Sequence, residues 1–494
     1  MDETDINILL ELMNKNSSTT ARRVGKKVES CKVVILAGGE GTRLHPLTLV
    51  HPKAMIPLGS SPVMENLIKH MKKSGFTDFI ITVNYLKDQF MHYIGEGSSL
   101  GVKVEYAIEP EGVFLGTAGS VKLANDLLNQ TFIVLQGDTF TTIDVRKALD
   151  FHRQVKADAT IILKEVTNPW NYGTAVCNSD GRITAFQEKP QKGEELSNLV
   201  STGMYCLEPD VLDFVSSGEV DFAKNVFPRI LGEGKRLFGF IGEGFWTDIG
   251  SLKGYLEGTK YVLETHVVPS ELRRKNTLIG NNLFIDESIK IKQPVLIENN
   301  VTISKECQIG PYVVLQKGVN VDENSVIENT TVLKGSNVGA FCQIRKSIIG
   351  EQAYLKDRVV VESSIIGPGS IIEESAQVKN GGRVWPGIKI TPNTIVDGTL
   401  VLPSDKPFLF HVDIGKYIGT TANNIEDLLS ILQNVDIKSI EFHLYRGDLE
   451  RWIRDVFKTN LLADRIYNLR KEELIGEQIR KKMIDLIRDW LNPT

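Results

Sequence analysis

The stretch LAGGEGTRLHPLTLVHPKAMIPL, residues 36–58, follows directly on the apolar run KVVIL at 32–36. A short apolar run closed by glycines reads as a buried strand that breaks into a turn. Gly38, Gly39 and Gly41 allow backbone angles and close approaches that a Cβ forbids. Successive exposed amides in such a turn can surround phosphate oxygens. Arg43 adds a forked cation suited to a polyphosphate, and Lys53 adds a point charge further along. Pro46, Pro52 and Pro57 stiffen the loop that carries them. A plain glycine turn with surface cations is the competing reading. Two rival phosphate motifs are excluded. No Lys-Ser or Lys-Thr follows the glycines, and Gly39-x-Gly41-x-x leads to Leu44 where a dinucleotide loop has its third glycine. No acidic residue stands at a second strand end about 20 residues on to grip a ribose. Hydride transfer and simple ATP hydrolysis both lose ground.

Outward from this loop, apolar strands alternate with helical stretches over residues 31–265. CKVVILA, DFIITV, VEYAI, TFIVLQG and ATIIL read as buried strands, with helix-like segments at 62–74, 118–129 and 144–156 between them. This alternation predicts an α/β domain with a Rossmann-like, mostly parallel sheet covered on both faces. Ligands of such sheets bind beyond the carboxyl ends of the strands. Residues 266–402 change character. Apolar residues recur every six positions, first at Ile297, Ile303, Ile309, Leu315, Val321, Ile327 and Leu333, then at Ile366, Ile372, Val378, Val384, Ile390 and Val396. Neither an α-helix nor an alternating strand has that period. It fits a three-sided solenoid with one inward branched side chain per side, and Gly, Asn, Asp and Ser cluster where corners are needed. Residues 403–494 show helical spacing, as in ELIGEQIRKKMIDLIRDWL, and predict a small helical domain. Its segment EFHLYRGDLERWI, with His443, Arg446 and Trp452, is a local signature best read as helix packing and capping. Residues 1–30 carry a helical pattern followed by ARRVGKK, and a packing or tail segment is a better reading than a DNA-binding unit.

The formal net charge of the 494-residue chain is −5, which argues against a nucleic-acid partner, since that would require a basic surface. Cys31, Cys177, Cys206, Cys307 and Cys342 are widely spaced and odd in number, with no CxxC pair. They read as reduced structural cysteines of a cytoplasmic protein without a zinc site. No apolar run approaches the roughly 20 residues of a membrane span, and the acidic, amphipathic start is unlike a secretory signal.

AGGEGTRL-x-PLT…PK…P resembles the signature of sugar-1-phosphate nucleotidylyltransferases, and further matches recur across 31–265. The resemblance implies that Ala37, Gly38, Gly39, Gly41 and Thr42 contact a nucleoside triphosphate. EPEGVFLGTAGSVKLA at 109–124 adds Gly116, whose backbone would approach a flat base, and Thr117 with its hydroxyl. In FIVLQGDTF, Asp138 ends a buried strand, and in GFWTDIGSLKGYLEG Asp248 is the second carboxylate. The resemblance implies that the two hold a divalent ion, and Mg²⁺ suits a site with few protein oxygens plus phosphates and waters. Gln136 departs from the asparagine usual in the family. WNYGTAV, FQEKP and STGMYCLEP place Gly173, Glu188, Lys189, Thr202 and Gly203 around the sugar phosphate, with Lys189 on the phosphate and Glu188 on sugar hydroxyls. The family often has asparagine near Thr202, so this loop departs from the pattern. Arg43, Lys53, Asp138 and Lys189 are the expected catalytic set, acting by alignment and charge neutralisation. Residues 266–402 are similar to the hexapeptide-repeat left-handed β-helix, and the handedness rests on that likeness alone.

The LGTAG form and the motif RVWPGIKI at 383–390 are most similar to mannose-1-phosphate guanylyltransferases, which implies GTP and mannose 1-phosphate as substrates. A glucose-1-phosphate enzyme using UTP or dTTP is the alternative within this class. A non-catalytic nucleotide-sugar-binding subunit is the alternative outside it, and the retained cations and carboxylates argue against it. Acyl transfer by the solenoid lacks a histidine base, since residues 267–402 contain none. Solenoid faces often join subunits, so a homo-oligomer is expected.

Overall fold

The computed structural model describes residues 31–39, 41–84, 86–110, 115–216, 218–265, 277–398, 400–401, 407–413, 416–422, 425–457, 460–472 and 474–491. The helix expected within residues 1–30 lies outside them.

A nine-stranded sheet carries the first region. Its strands are β1 (Val33–Leu36), β2 (Asp78–Val83), β3 (Lys103–Ile108), β4 (Phe132–Gln136), β6 (Ala159–Glu165), β7 (Gly173–Cys177), β8 (Ile183–Glu188), β9 (Leu199–Leu207) and β10 (Leu237–Ile241), with β5 (Thr139–Thr141) and β11 (Trp246–Asp248) forming a separate pair. The order runs β8-β7-β9-β4-β1-β2-β3, with β6 on β9 and β10 on β6. β4, β1, β2 and β3 are parallel, as the alternation predicts. The other half is mixed rather than parallel, because β9 runs antiparallel to β4, β6 and β7 and β8 returns on β7 as a hairpin. The short turn Asn178–Gly181, with Gly181 at φ +86°, makes that hairpin, and a helix-length crossover is not needed there. Apolar clusters line both faces of the sheet, one around Ile35, Phe79 and Leu135 and the other around Val34, Phe132 and Tyr205. Helices α1 (Val63–Lys73), α2 (Lys87–Ile94), α3 (Gly116–Lys122), α4 (Val145–Gln154), α5 (Phe227–Gly232) and α6 (Leu252–Thr265) complete the region. α3 stops well before residue 129, and the stretch continues as a 3-10 turn at Asn125–Leu127.

From Thr277 the chain winds through three parallel sheets of eight, seven and seven short strands, a parallel β-helix. Twelve of the thirteen period-six residues point into its dry core. Leu333 does not. The coil from Val313 to its neighbour Thr330 is one residue shorter than the coil from Val295 to Val313, so Val332 turns inward and Leu333 faces out. The same shortening recurs at the next two coils, each with a residue in left-handed conformation at the tight corner: Asn329, Lys346 and Ser363 at φ +44°, +49° and +50°. Beside these corners a hydroxyl ladder follows, in which Ser347 N donates to Thr330 Oγ1 and Ser364 N to Ser347 Oγ at 3.3 and 3.1 Å.

One of the three sheets is buried on its outer side as well. Its strands read VLI, VVL, TTV, II and II from Val295 to Ile366, with no exposed position among them. Outward Leu333, Ile348 and Ile365 join Leu44, Leu47, Ile56, Leu58 and Tyr255 in one cluster, and Leu296 and Val314 pack with Leu263 of α6. Alternation within a strand puts successive side chains on opposite faces, so apolar doublets bury both.

The last region has its own core. It is not wholly helical: a hairpin of Phe408–His411 and Tyr417–Ala422 precedes α7 (Ile425–Leu432), α8 (Ile437–Arg446), α9 (Asp448–Phe457), α10 (Asn460–Leu469) and α11 (Glu477–Leu491). His443 explains the local signature. It is 4% exposed, accepts a hydrogen bond from the His411 amide at 2.7 Å on Nε2, and meets Asp448 Oδ2 at 2.9 Å through Nδ1. Arg446 pairs with the same carboxylate and lies over the Phe442 ring. These contacts tie the hairpin to α8 and α9, the packing role expected for the motif.

Candidate functional site

The carboxyl ends of β1, β2 and β4 open on a cavity of about 380 Å³. Ala37, Gly38, Gly39 and Gly41 line it, together with Arg43, Lys53, Gly116, Thr117 and Asp138. A Cβ at Gly38 would lie 2.6 Å from Glu109 Oε1, so a side chain there would displace that carboxylate. Gly41 sits at φ +67°, a backbone state that other residues rarely adopt. Thr42 opens the 3-10 turn that follows. A second cavity of about 180 Å³ lies alongside, lined by Gly173, Glu188, Lys189, Thr202, Gly203 and Asp248 among others. Arg43, Thr117, Gln136 and Asp138 border both cavities, so the two meet there.

Asp138 and Asp248 come together through the antiparallel pairing of β5 with β11, in which Thr139 faces Asp248. The Ile249 amide closes the pair on the Asp138 carbonyl at 3.0 Å. The Lys53 ammonium lies between the two carboxylates. It contacts Asp138 Oδ2 and is 3.2 Å from Asp248 Oδ1. Arg43 Nη2 donates to Asp248 Oδ2 at 3.1 Å and the Gly250 amide to Asp248 Oδ1 at 2.7 Å. Burial disfavours the Lys53 charge, yet the Asp138 and Asp248 carboxylates outweigh it and hold its pKa above the ordinary lysine value. Burial likewise opposes ionisation of Asp248, but Lys53 and then Arg43 override it and hold that carboxyl below its usual range. The result is an interleaved cluster of two acids and two cations at the junction of the cavities.

In the second cavity Glu188 ends β8, directly across from Gly173 in the β7–β8 hairpin, and Lys189 follows it. A Cβ at Gly173 would lie 2.7 Å from Glu188 Oε2. Burial raises the Glu188 carboxyl pKa, with Lys189 offsetting part of the effect. Lys189 itself is 63% exposed, its Nζ 3.8 Å from Glu188 Oε1, and so reaches into open space beside the cavity. Gly203, at φ +75°, occupies a bulge in β9, where a Cβ would strike Gln136 at 2.7 Å.

Two expectations change in detail, and a third gains a second cause. The Thr202 hydroxyl is fully buried and donates to the Ile162 carbonyl at 2.7 Å, so it secures the bulge instead of presenting itself to a sugar. The Thr117 hydroxyl donates to Asp221 Oδ2 at 2.8 Å and accepts from the Phe222 amide at 3.0 Å, which commits it to the protein. Gly116, at φ +69°, is required by packing, since a Cβ would sit 2.5 Å from the Val220 carbonyl oxygen. Glu109, Tyr172, Asp221 and Trp246 are among the lining residues that the motifs did not single out. Glu109 had a signal, since it directly follows β3 at the ligand edge of the sheet. Tyr172 and Trp246 lie inside the motifs WNYGTAV and GFWTDIGSLKGYLEG, whereas Asp221 had no signal, because only tertiary packing brings it to the cavity.

Comparison with known proteins fits this geometry. The nucleotidyl transferase model matches residues 32–265, and the GMPPB C-terminal domain model matches residues 291–357. The chain is 34% identical to a mannose-1-phosphate guanyltransferase of Emericella nidulans, over 70% of this chain and 98% of that one. The chain belongs to the nucleotidyl transferase family. A mannose-1-phosphate guanyltransferase of Schizosaccharomyces pombe is 33% identical over 75% of this chain and its own full length, so about a quarter of this chain has no counterpart in it. A UTP–glucose-1-phosphate uridylyltransferase of Synechocystis is also 33% identical, over 62% of this chain and 85% of that one. As a member of this family the protein is a sugar-1-phosphate nucleotidyltransferase. No helix among the described residues is long and apolar enough to cross a membrane.

Proposed function

We propose that the protein joins GTP to mannose 1-phosphate, giving GDP-mannose and pyrophosphate. The observation that carries the proposal is the meeting of the two cavities at Arg43 and Asp138, where Lys53 of the first wall contacts Asp248 of the second. A triphosphate in the first cavity and a sugar phosphate in the second would bring the reacting groups to that junction. The sugar phosphate is already ionised, so its oxygen attacks the α-phosphorus without a general base. The bond to the β-phosphate oxygen breaks, and the electron pair leaves with pyrophosphate. Glycine amides at 38–41 and Arg43 hold the leaving pyrophosphate, Lys53 offsets charge at the α-phosphate, and Lys189 holds the attacking phosphate. Glu188 accepts hydrogen bonds from sugar hydroxyls.

Asp138 and Asp248 converge on one ammonium and offer oxygen donors of the kind Mg²⁺ takes, so they fit as its holders. When bound, the ion offsets phosphate charge. Among the described residues no third acidic or histidine ligand joins them, which suits an ion completed by phosphates and waters.

Glu109 favours guanine. Its carboxylate is 6% exposed in the wall of the first cavity and accepts from Ser120 Oγ at 2.7 Å and Asn84 Nδ2 at 3.2 Å. An ionised carboxylate has about four acceptor positions. It therefore retains capacity for the adjacent N1–H and N2–H₂ donors of guanine, whereas uracil offers one N–H between two carbonyls. The Synechocystis relative supports uridylyl transfer to glucose 1-phosphate as the second reading. Pyrophosphate release from four triphosphates, each with mannose 1-phosphate and glucose 1-phosphate, tests the assignment. GTP with mannose 1-phosphate is expected to react fastest, and Glu109→Gln to erode the GTP preference. UTP with glucose 1-phosphate as the preferred pair would replace this reading with the second.

A further inference from the structure

The motif RVWPGIKI at 383–390 plays no part in either cavity, yet it reaches the loop that carries Arg43 and Lys53. Trp385, 8% exposed at the end of the outward-buried sheet, meets His45 edge-on with ring centroids 5.5 Å apart. His45 Nδ1 is 2.7 Å from Thr48 Oγ1, and that hydroxyl donates to the Gly41 carbonyl at 2.9 Å. Because the hydroxyl proton is spent on Gly41, the oxygen accepts, and His45 Nδ1 carries the hydrogen. Gly41 is the left-handed turn of the first cavity, and a Cβ there would lie 3.0 Å from both Thr48 and Lys53. Further along the loop, Glu351 of the β-helix is 3.6 Å from His51 Nε2. His51 Nδ1 in turn faces Gln89 Oε1 at 3.3 Å, and Gln89 Nε2 donates to the Val50 carbonyl at 2.7 Å. Leu44, just before the first grip, and Leu47, between the two, share one buried cluster with Ile348 and Ile365. The β-helix therefore holds the chain at both ends of residues 45–51, within the span that separates Arg43 from Lys53.

We infer that the β-helix is a positioning element for the triphosphate, with Trp385 and Glu351 setting the glycine turn and Lys53 through His45 and His51. The inference rests on the proposed use of the first cavity for a nucleotide. The loop is built of three short 3-10 turns, closed by local backbone hydrogen bonds and not by a sheet or a long helix, so an external scaffold fixes its geometry. Trp385 and Glu351 grip the loop that lines the first cavity, whereas the second is lined mainly by other segments, so the effect falls chiefly on the triphosphate.

The test uses the full chain, with Trp385→Ala, Trp385→Phe and Glu351→Gln compared by melting temperature, by KM for each substrate and by calorimetric titration of GTP and UTP. Loss of an aromatic edge contact corresponds to about a two- to tenfold change in binding. Trp385→Ala is expected to raise KM and Kd for the triphosphate by that factor, with KM for the sugar phosphate unchanged and Trp385→Phe restoring part of the loss. His45→Ala is expected to match it, and the double variant to be no weaker than either single one. Glu351→Gln leaves the apolar docking intact and covers the case in which Trp385→Ala fails to fold. A folded Trp385→Ala or Glu351→Gln with unaltered triphosphate affinity, or one that raises both KM values equally, overturns the inference. Absence of pyrophosphate release by the unaltered protein with every substrate pair counts against the reaction instead, since triphosphate binding is read independently.

Discussion

Replacing Lys53 by methionine keeps most of the side-chain volume and removes the charge between Asp138 and Asp248. Lys53 makes two charge-assisted contacts there, to Asp138 and, at 3.2 Å, to Asp248. At an effective dielectric of about 20, one such pair has a gross attraction of about 5 kcal/mol, and desolvation of the groups cancels much of it. The net contribution of a hydrogen bond to a charged group is about 1.5–3 kcal/mol. Asp248 keeps Arg43 and the Gly250 amide, so the loss of stability is expected at about 2–4 kcal/mol, read as a lower melting temperature. The carboxyl of Asp248 lies below its usual pKa in the folded protein, so it contributes stability that is present above the unfolded value of 3.8 and is lost as pH falls through the lower folded value. Lys53 is its leading partner, and in Lys53→Met that acid-side contribution shrinks. The two carboxylates then face each other with one cation fewer. Mg²⁺ is expected to raise the melting temperature of the variant more than that of the unaltered protein. Turnover is a separate readout. A charge-stabilising group at the reacting phosphate is worth about 3–4 kcal/mol, a 10²- to 10³-fold fall in kcat/KM measured by pyrophosphate release. Near-normal turnover in a folded Lys53→Met would refute the place given to Lys53 at the α-phosphate. A melting temperature with no added response to Mg²⁺ would refute the carboxylate pair as its holder.

Asp138→Ala and Lys189→Ala are each expected to lose about 10²- to 10³-fold in kcat/KM while the fold persists, and Lys189→Ala is expected to raise KM for the sugar phosphate and not for the triphosphate. Because burial raises the Glu188 carboxyl above its ordinary value of 4.5, its acceptor form is lost at a higher pH than usual. KM for the sugar phosphate should therefore rise as pH falls, beginning above the ordinary glutamate range, and the rise should vanish in Glu188→Gln. The raised value also means that ionised Glu188 costs stability as pH climbs from the unfolded pKa to the folded one, a slope that the same variant removes in a melting-temperature series. Ile349→Ala, in the dry core of the β-helix, should cost about 2–5 kcal/mol and lower the melting temperature of the full chain.

Much of this protein is local and was therefore readable without coordinates. A glycine turn after an apolar strand, a carboxylate at a strand end and an apolar residue every six positions each depend on neighbours a few residues away. Backbone sterics and side-chain periodicity act over that range. Gly38, Gly41, Asp138 and twelve of the thirteen solenoid positions accordingly stand where the sequence puts them. Tertiary structure decided the rest, because a side chain's partner is set by packing between distant segments. The β5–β11 pairing joins Asp138 to Asp248, and nothing in either motif says that Lys53 lies between them. The hydroxyls of Thr117 and Thr202 look available in sequence and are taken by Asp221 and the Ile162 carbonyl in the fold. Leu333 keeps the period and loses the core, because a corner one residue shorter advances Val332 into its place. The apolar runs VLI, VVL, II and II leave one sheet buried on both faces, but only the packed chain shows what covers it: the loop bearing Arg43 and Lys53, together with α6.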